Sequence, residues 1–111
     1  MEKQAFVPST VYNLKQTIAI AEGGVVSKQF IKNKSGNITF FAFDQGQGLS
    51  EHSAPFDAVV LVTEGTAEVK IGGNWYTVRE GELILMPANV PHALQAPVPF
   101  KMCLIMIRHA G

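Results

Sequence analysis

From Val25 onward the chain is a succession of short apolar runs cut by turn residues, and no long stretch carries apolar positions at helical spacing. The runs predict strands at Val25–Ile31, Asn37–Asp44, Ala58–Thr63, Ala67–Ile71, Trp75–Arg79, Leu83–Met86, His92–Ala96 and Met102–Ile107. Turns fall at Lys34 to Asn37, Glu64-Gly65, Gly72 to Asn74 and Glu80-Gly81, each with a glycine where the backbone reverses. The Ile71 to Asn74 step predicts the tightest hairpin. Before Val25 the pattern is weaker. Thr10 to Ala21 reads either as a short helix or as an irregular arm leading into Gly23-Gly24. The division expected is an N-terminal arm over residues 1–24 and a single barrel over 25–111.

Short strands with close turns define an all-β class, a sandwich or a barrel. Val59 to Val62, Leu83 to Met86 and Met102 to Ile107 are apolar at every position, so both faces of these strands must be covered. One face can fill the interior. The other needs a second sheet or another subunit, which predicts a homodimer with the last strand at its interface.

Composition sharpens this picture. The 111 residues are 47% hydrophobic and 16% charged, apolar for one small domain, and a buried subunit interface would absorb the excess. Nine basic and nine acidic residues cancel, and no Lys/Arg cluster could neutralise a run of phosphates, which argues against nucleic acid. No apolar stretch reaches the length of a membrane span or a signal-peptide core. Cys103 is the single cysteine, which fits a reducing, cytoplasmic setting.

Two stretches carry chemistry. From Gly46 the chain reads Gly46, five residues, His52, one residue, Ala54, three residues, Ala58, six residues, Gly65. From Gly81 it reads Gly81, five residues, Pro87, one residue, Asn89, two residues, His92, three residues, Ala96. These resemble the two cupin motifs, G-x5-H-x-H-x3-4-E-x6-G and G-x5-P-x-G-x2-H-x3-N. Gly46, His52, Gly65, Gly81, Pro87 and His92 match in register over about half the chain. The resemblance implies a double-stranded β-helix, the cupin jelly-roll barrel, with His52 and His92 projecting into one cavity. Asn89 stands at a motif glycine, and asparagine tolerates the left-handed backbone that position requires.

The chain departs from the family at two of the four metal positions. Ala54 stands at the second histidine and Ala58 at the glutamate, and a methyl group donates no lone pair. His52 and His92 alone should hold a divalent ion such as Zn, Ni, Fe or Mn weakly, because a working site generally has three protein ligands. Asp57 is the nearest candidate third donor. It adjoins Ala58, so alternation turns it to the opposite face unless a bulge intervenes. Glu51 has the same parity problem beside His52. Of Met102 and Cys103, one should face inward, for packing. Glu80 and Glu82 read as a solvated turn pair, Trp75 and Tyr76 as rim residues, and His109 as surface.

Three functions compete. The first is a barrel that binds a small molecule in its interior, where Ala54 and Ala58 leave room beside the two histidines. The second is a metal-dependent enzyme of dioxygenase or isomerase type, which needs an unidentified third ligand. The third is a non-catalytic dimeric regulatory module. Fold analogy does not choose among them, since one barrel serves many chemistries.

Overall fold

The computed structural model describes residues 6–108. The arm that begins at Phe6 is irregular except for one 3-10 turn, Leu14–Gln16, which Asn13 caps by accepting from the Lys15 amide. Nine strands follow: β1 (Val25–Asn33), β2 (Gly36–Phe43), β3 (Gly48–His52), β4 (Phe56–Glu64), β5 (Thr66–Ile71), β6 (Asn74–Arg79), β7 (Leu83–Met86), β8 (His92–Gln95) and β9 (Phe100–Arg108). They form a five-stranded sheet, β1-β2-β9-β4-β7, facing a four-stranded sheet, β3-β8-β5-β6. Every pairing is antiparallel, as a jelly-roll barrel requires. Among the described residues no helix is long and apolar enough to cross a membrane.

All eight predicted strands are present, with ends shifted by a few residues, and β3 is an addition. Its sequence, Gly-Leu-Ser-Glu-His, is largely polar and exposed and gives no apolar run to detect. The turn glycines behave as expected. Gly65, Gly72 and Gly81 have φ of +78°, +68° and +82°, and Asn89 takes φ +64° in place of the motif glycine.

Alternation sorts the two-sided strands into two cores. The inward residues of β4 (Ala58, Val60, Val62) and β9 (Met102), with Phe43, Met86, Ala67, Val69 and Leu94, fill the space between the sheets. Phe43 and Phe100 stack at its centre, 4.5 Å apart and 10° from parallel. On the other side of the large sheet, Phe40, Ala42 and Cys103 are covered by Phe6 and Ile18 from the arm. Phe6 there meets Tyr12, Phe30 and Phe40 at centroid distances of 4.9, 5.1 and 5.6 Å. The arm is thus the lid of a second small core. Lys101 reinforces it by donating to the Lys15 carbonyl at 2.8 Å, and Lys15 pairs with Glu80 at 3.1 Å.

Candidate functional site

His52 ends β3 and His92 begins β8, and the two are direct cross-strand partners. They share the inward face because of a bulge. Leu49 pairs with Leu94 and His52 with His92, so β3 spends three steps where β8 spends two. The extra residue reverses the parity that would otherwise turn His52 outward. Glu51, released by the bulge, points away and pairs with Lys70 at 3.3 Å.

The rings meet edge to face, with centroids 4.4 Å apart and planes at 70°. Their Nε2 atoms are 3.2 Å apart. Each Nδ1 lies against a backbone carbonyl, His52 at 2.8 Å from Ser50 and His92 at 3.1 Å from Val90. A carbonyl only accepts, so each Nδ1 carries the hydrogen and each neutral Nε2 presents a bare lone pair. Two lone pairs at this distance repel unless a proton or a cation lies between them. Nitrogens bound to one ion at about 2.0–2.1 Å with a near-tetrahedral angle would stand about 3.3–3.4 Å apart. The pair therefore fits two adjacent positions around one ion. His92 is buried and His52 exposed, so the pair is reached from solvent on the His52 side. Burial holds the His92 pKa below its ordinary 6.5, opposed by the Val90 hydrogen bond and assisted by the charge of His52.

The other candidates separate from this pair. Asp57 is corrected as a third donor. Its stretch of β4 runs unbroken, with Asp57 opposite Ile107 and Ala58 opposite Met106, so it lies on the other face from Ala58. Its Oδ1 accepts from the Ala88 amide at 2.9 Å, which ties the carboxylate to the loop after β7. Among the described residues, no group of three or more His, Cys, Asp and Glu converges as a metal centre would need. Ala58 is buried in the main core. Ala54 is half-buried, and its carbonyl accepts from the Asn89 amide at 2.8 Å, joining the two motif loops. Of the neighbours on β9, Met102 faces the main core and Cys103 the arm, where burial pushes its thiol pKa up.

Glu82 accepts from the Arg79 amide at 2.8 Å and Glu80 binds Lys15, so that pair serves the turn and the arm. Trp75 and Tyr76 are half-exposed on the edge strand β6, and Lys70 sits 5.9 Å from the Trp75 ring centre. His109 lies outside the described residues. One open groove of about 420 Å³ is lined by Gln47, Ser50, Glu68 and Gln95 and by the backbone of Gly46 to Gly48. It follows the outward row in which Gln95 pairs with Gly48 and Glu68. The groove is thus on the outside of the small sheet, apart from the histidines, and sequence spacing offered no signal for it.

Two sheets closed into a jelly roll, with paired imidazoles on the inner face of adjacent strands, define a small double-stranded β-helix barrel. The chain belongs to the Cupin domain family, whose model matches residues 39–108. It is similar to a conserved protein of unknown function from Streptococcus pyogenes, with 34% identity over 96% of this chain and 94% of that one and a TM-score of 0.90. A cupin 2 conserved barrel domain protein from Leptotrichia buccalis shares 35% identity over 87% of this chain, with a TM-score of 0.85. The match spans 47% of that longer chain. A cupin superfamily protein from Desulfitobacterium hafniense, at 21% identity, covers 98% of this chain and all of its own with a TM-score of 0.88, which shows the shared fold. No curated protein matches the chain.

Proposed function

We propose that this barrel binds a small molecule at the His52–His92 mouth, with a weakly held divalent cation as the point of attachment. The observation that carries the reading is the 3.2 Å approach of two Nε2 atoms whose Nδ1 positions are both committed to carbonyls. The chain supplies two neutral nitrogens there and no carboxylate, so an ion held by it keeps most of its charge and coordination positions for other donors. Water or an anionic oxygen of the ligand would fill those positions. The chemistry that such an ion supplies is polarisation of the bound oxygen.

The carbonyls of Ser50 and Val90 fix the ring orientations, the role that backbone acceptors play behind metal-bound imidazoles. The main core excludes water from the His92 side and leaves approach from the His52 side. A two-nitrogen donor set favours binding over a full catalytic centre.

The test is a calorimetric titration of Zn or Ni into chelator-stripped protein. Binding at micromolar or weaker affinity, lost in His92→Ala, is the expected result. Tight stoichiometric binding would demand a third donor and restore the enzyme reading. Absence of binding at millimolar metal would end the proposal.

A further inference from the structure

One row of residues crosses the outer face of the small sheet from edge to edge. Thr77 on β6 pairs with Glu68 on β5, Glu68 with Gln95 on β8, and Gln95 with Gly48 on β3. The groove of about 420 Å³ lies along this row and has the size of a small-ligand cleft. At its β3 end Gly48 lets the two backbones close up, since a Cβ there would strike the Leu94 carbonyl. Gly46 and Gln47, which also line it, are pinned to the end of β8. Gly46 donates to the Ala96 carbonyl at 2.8 Å, and the Ala96 amide donates to the Gln47 carbonyl at 2.9 Å.

The groove holds one charge. Glu68 lines it with Gln47, Ser50 and Gln95, and its lining includes no lysine, arginine or histidine. Lys70, two residues along β5, is paired with Glu51 at 3.3 Å. Among the described residues Glu68 forms no ion pair. Its two oxygens instead share the Thr77 hydroxyl, each at 3.0 Å. Equal distances put that hydroxyl on the edge between the oxygens, which is the edge a guanidinium fork would need. The outer lone pair of each oxygen remains for another donor.

We infer that this groove, apart from the histidine mouth, binds a small molecule through a primary ammonium group seated on Glu68. An ammonium is a compact charge with three donors, so it takes one outer lone pair and still serves neighbouring acceptors. The amide oxygens of Gln47 and Gln95 and the Ser50 hydroxyl are those acceptors. An anion would be repelled by Glu68, and a neutral polyol would gain nothing from its charge.

The experiment is a titration of ethanolamine into the isotope-labelled full chain at low salt, followed by amide NMR. Ethylene glycol and methylguanidine are the comparison ligands. Ethanolamine should shift the signals of Gly46 to Gly48, Glu68 and Gln95 saturably, at millimolar affinity. Glu68→Gln removes the charge but keeps an acceptor for Thr77, and should weaken binding about tenfold. Gln95→Ala, at an exposed position, should weaken it about threefold and decides if Glu68→Gln fails to fold. Thr77→Val frees the edge between the oxygens and should raise methylguanidine affinity relative to ethanolamine. Methylguanidine binding to wild type as tightly as ethanolamine would overturn the ammonium assignment. Ethylene glycol binding as well as ethanolamine, or full affinity in folded Glu68→Gln, would overturn the inference. So would the absence of saturable shifts, or shifts confined to the surroundings of His52 and His92.

Discussion

Ala58 on β4 stands directly across the ladder from Met86 on β7, with Met106 on its other side. A methyl group between two thioether side chains occupies the place where the motif resemblance puts a carboxylate. Ala58 is buried at that place, within the main core.

Restoring the donors tests this relationship. Ala54→His with Ala58→Glu should tighten Zn or Ni binding by about tenfold or more, worth about 1.4 kcal/mol or more. The metal-free double variant should be less stable than wild type by about 2–4 kcal/mol, because Ala58→Glu places a carboxyl group in the core. Added metal should recover part of that loss through binding to the native state. Calorimetry and thermal melts with and without metal read both effects. A folded double variant that binds no tighter than wild type would refute the donor count.

Acid should destabilise the protein through His92. Its pKa in the folded state is lowered by burial from 6.5, so below that value the unfolded chain binds the extra proton first. Stability contributed by neutral His92 is complete above the unfolded pKa and is lost as pH falls from there through the lowered folded pKa. Melting temperatures between pH 5 and pH 8 should therefore rise with pH. The rise should be shallower in His92→Gln, and equal slopes in the two proteins would remove His92 as the cause. Metal affinity should fall in the same acidic range, since a proton on His92 competes with the ion for its Nε2.

The thiol of Cys103 reports on the arm. It is buried beneath Phe6 and Ile18, and burial raises its pKa. A disulfide reagent at neutral pH should modify it slowly in the native protein and rapidly in denaturant. Phe6→Ala should speed the native reaction and lower stability by about 3 kcal/mol. Unchanged reactivity in that variant would show that the lid does not limit access.

Gly65 joins β4 to β5 at φ +78°, and a Cβ built on it would collide with the Pro99 carbonyl and with Phe100. Gly65→Ala should therefore combine backbone strain with a backbone clash and cost about 2 kcal/mol or more. Gly73→Ala, which meets nothing within 4 Å, is the control expected to change little. Urea melts compare the two, and similar midpoints would contradict the close approach.

The strands that lie in both cores were legible because every second residue, and often every residue, is apolar. β4 and β9 show this most clearly. The motif spacing found His52 and His92 for the same site, although β3 itself was not legible as a strand. The sequence pattern left the arm open between a helix and an irregular segment. Its covering of Cys103 depends on Phe6 reaching Phe40 across the fold, which no local pattern encodes. The third-donor question likewise turned on register. Asp57 could have been rotated inward by a bulge, but the register of β4 shifts only between Val62 and Glu64, well past Asp57. The outer groove joins Gln47, Glu68 and Gln95 from distant parts of the chain, so only the pairing of β5 with β8 brings it into being.

The bulge between Leu49 and His52 also acts as slack in the ladder. In a strand without it, gaining or losing one residue turns every following side chain over. Here the loss of a single residue from Ser50-Glu51 would straighten β3 to two steps against two, and His52 would still meet His92 on the inner face. The site is consequently tolerant of length change at the one place where the chain enters it. Deleting Ala93 from the unbulged strand β8, by contrast, should break the imidazole pairing.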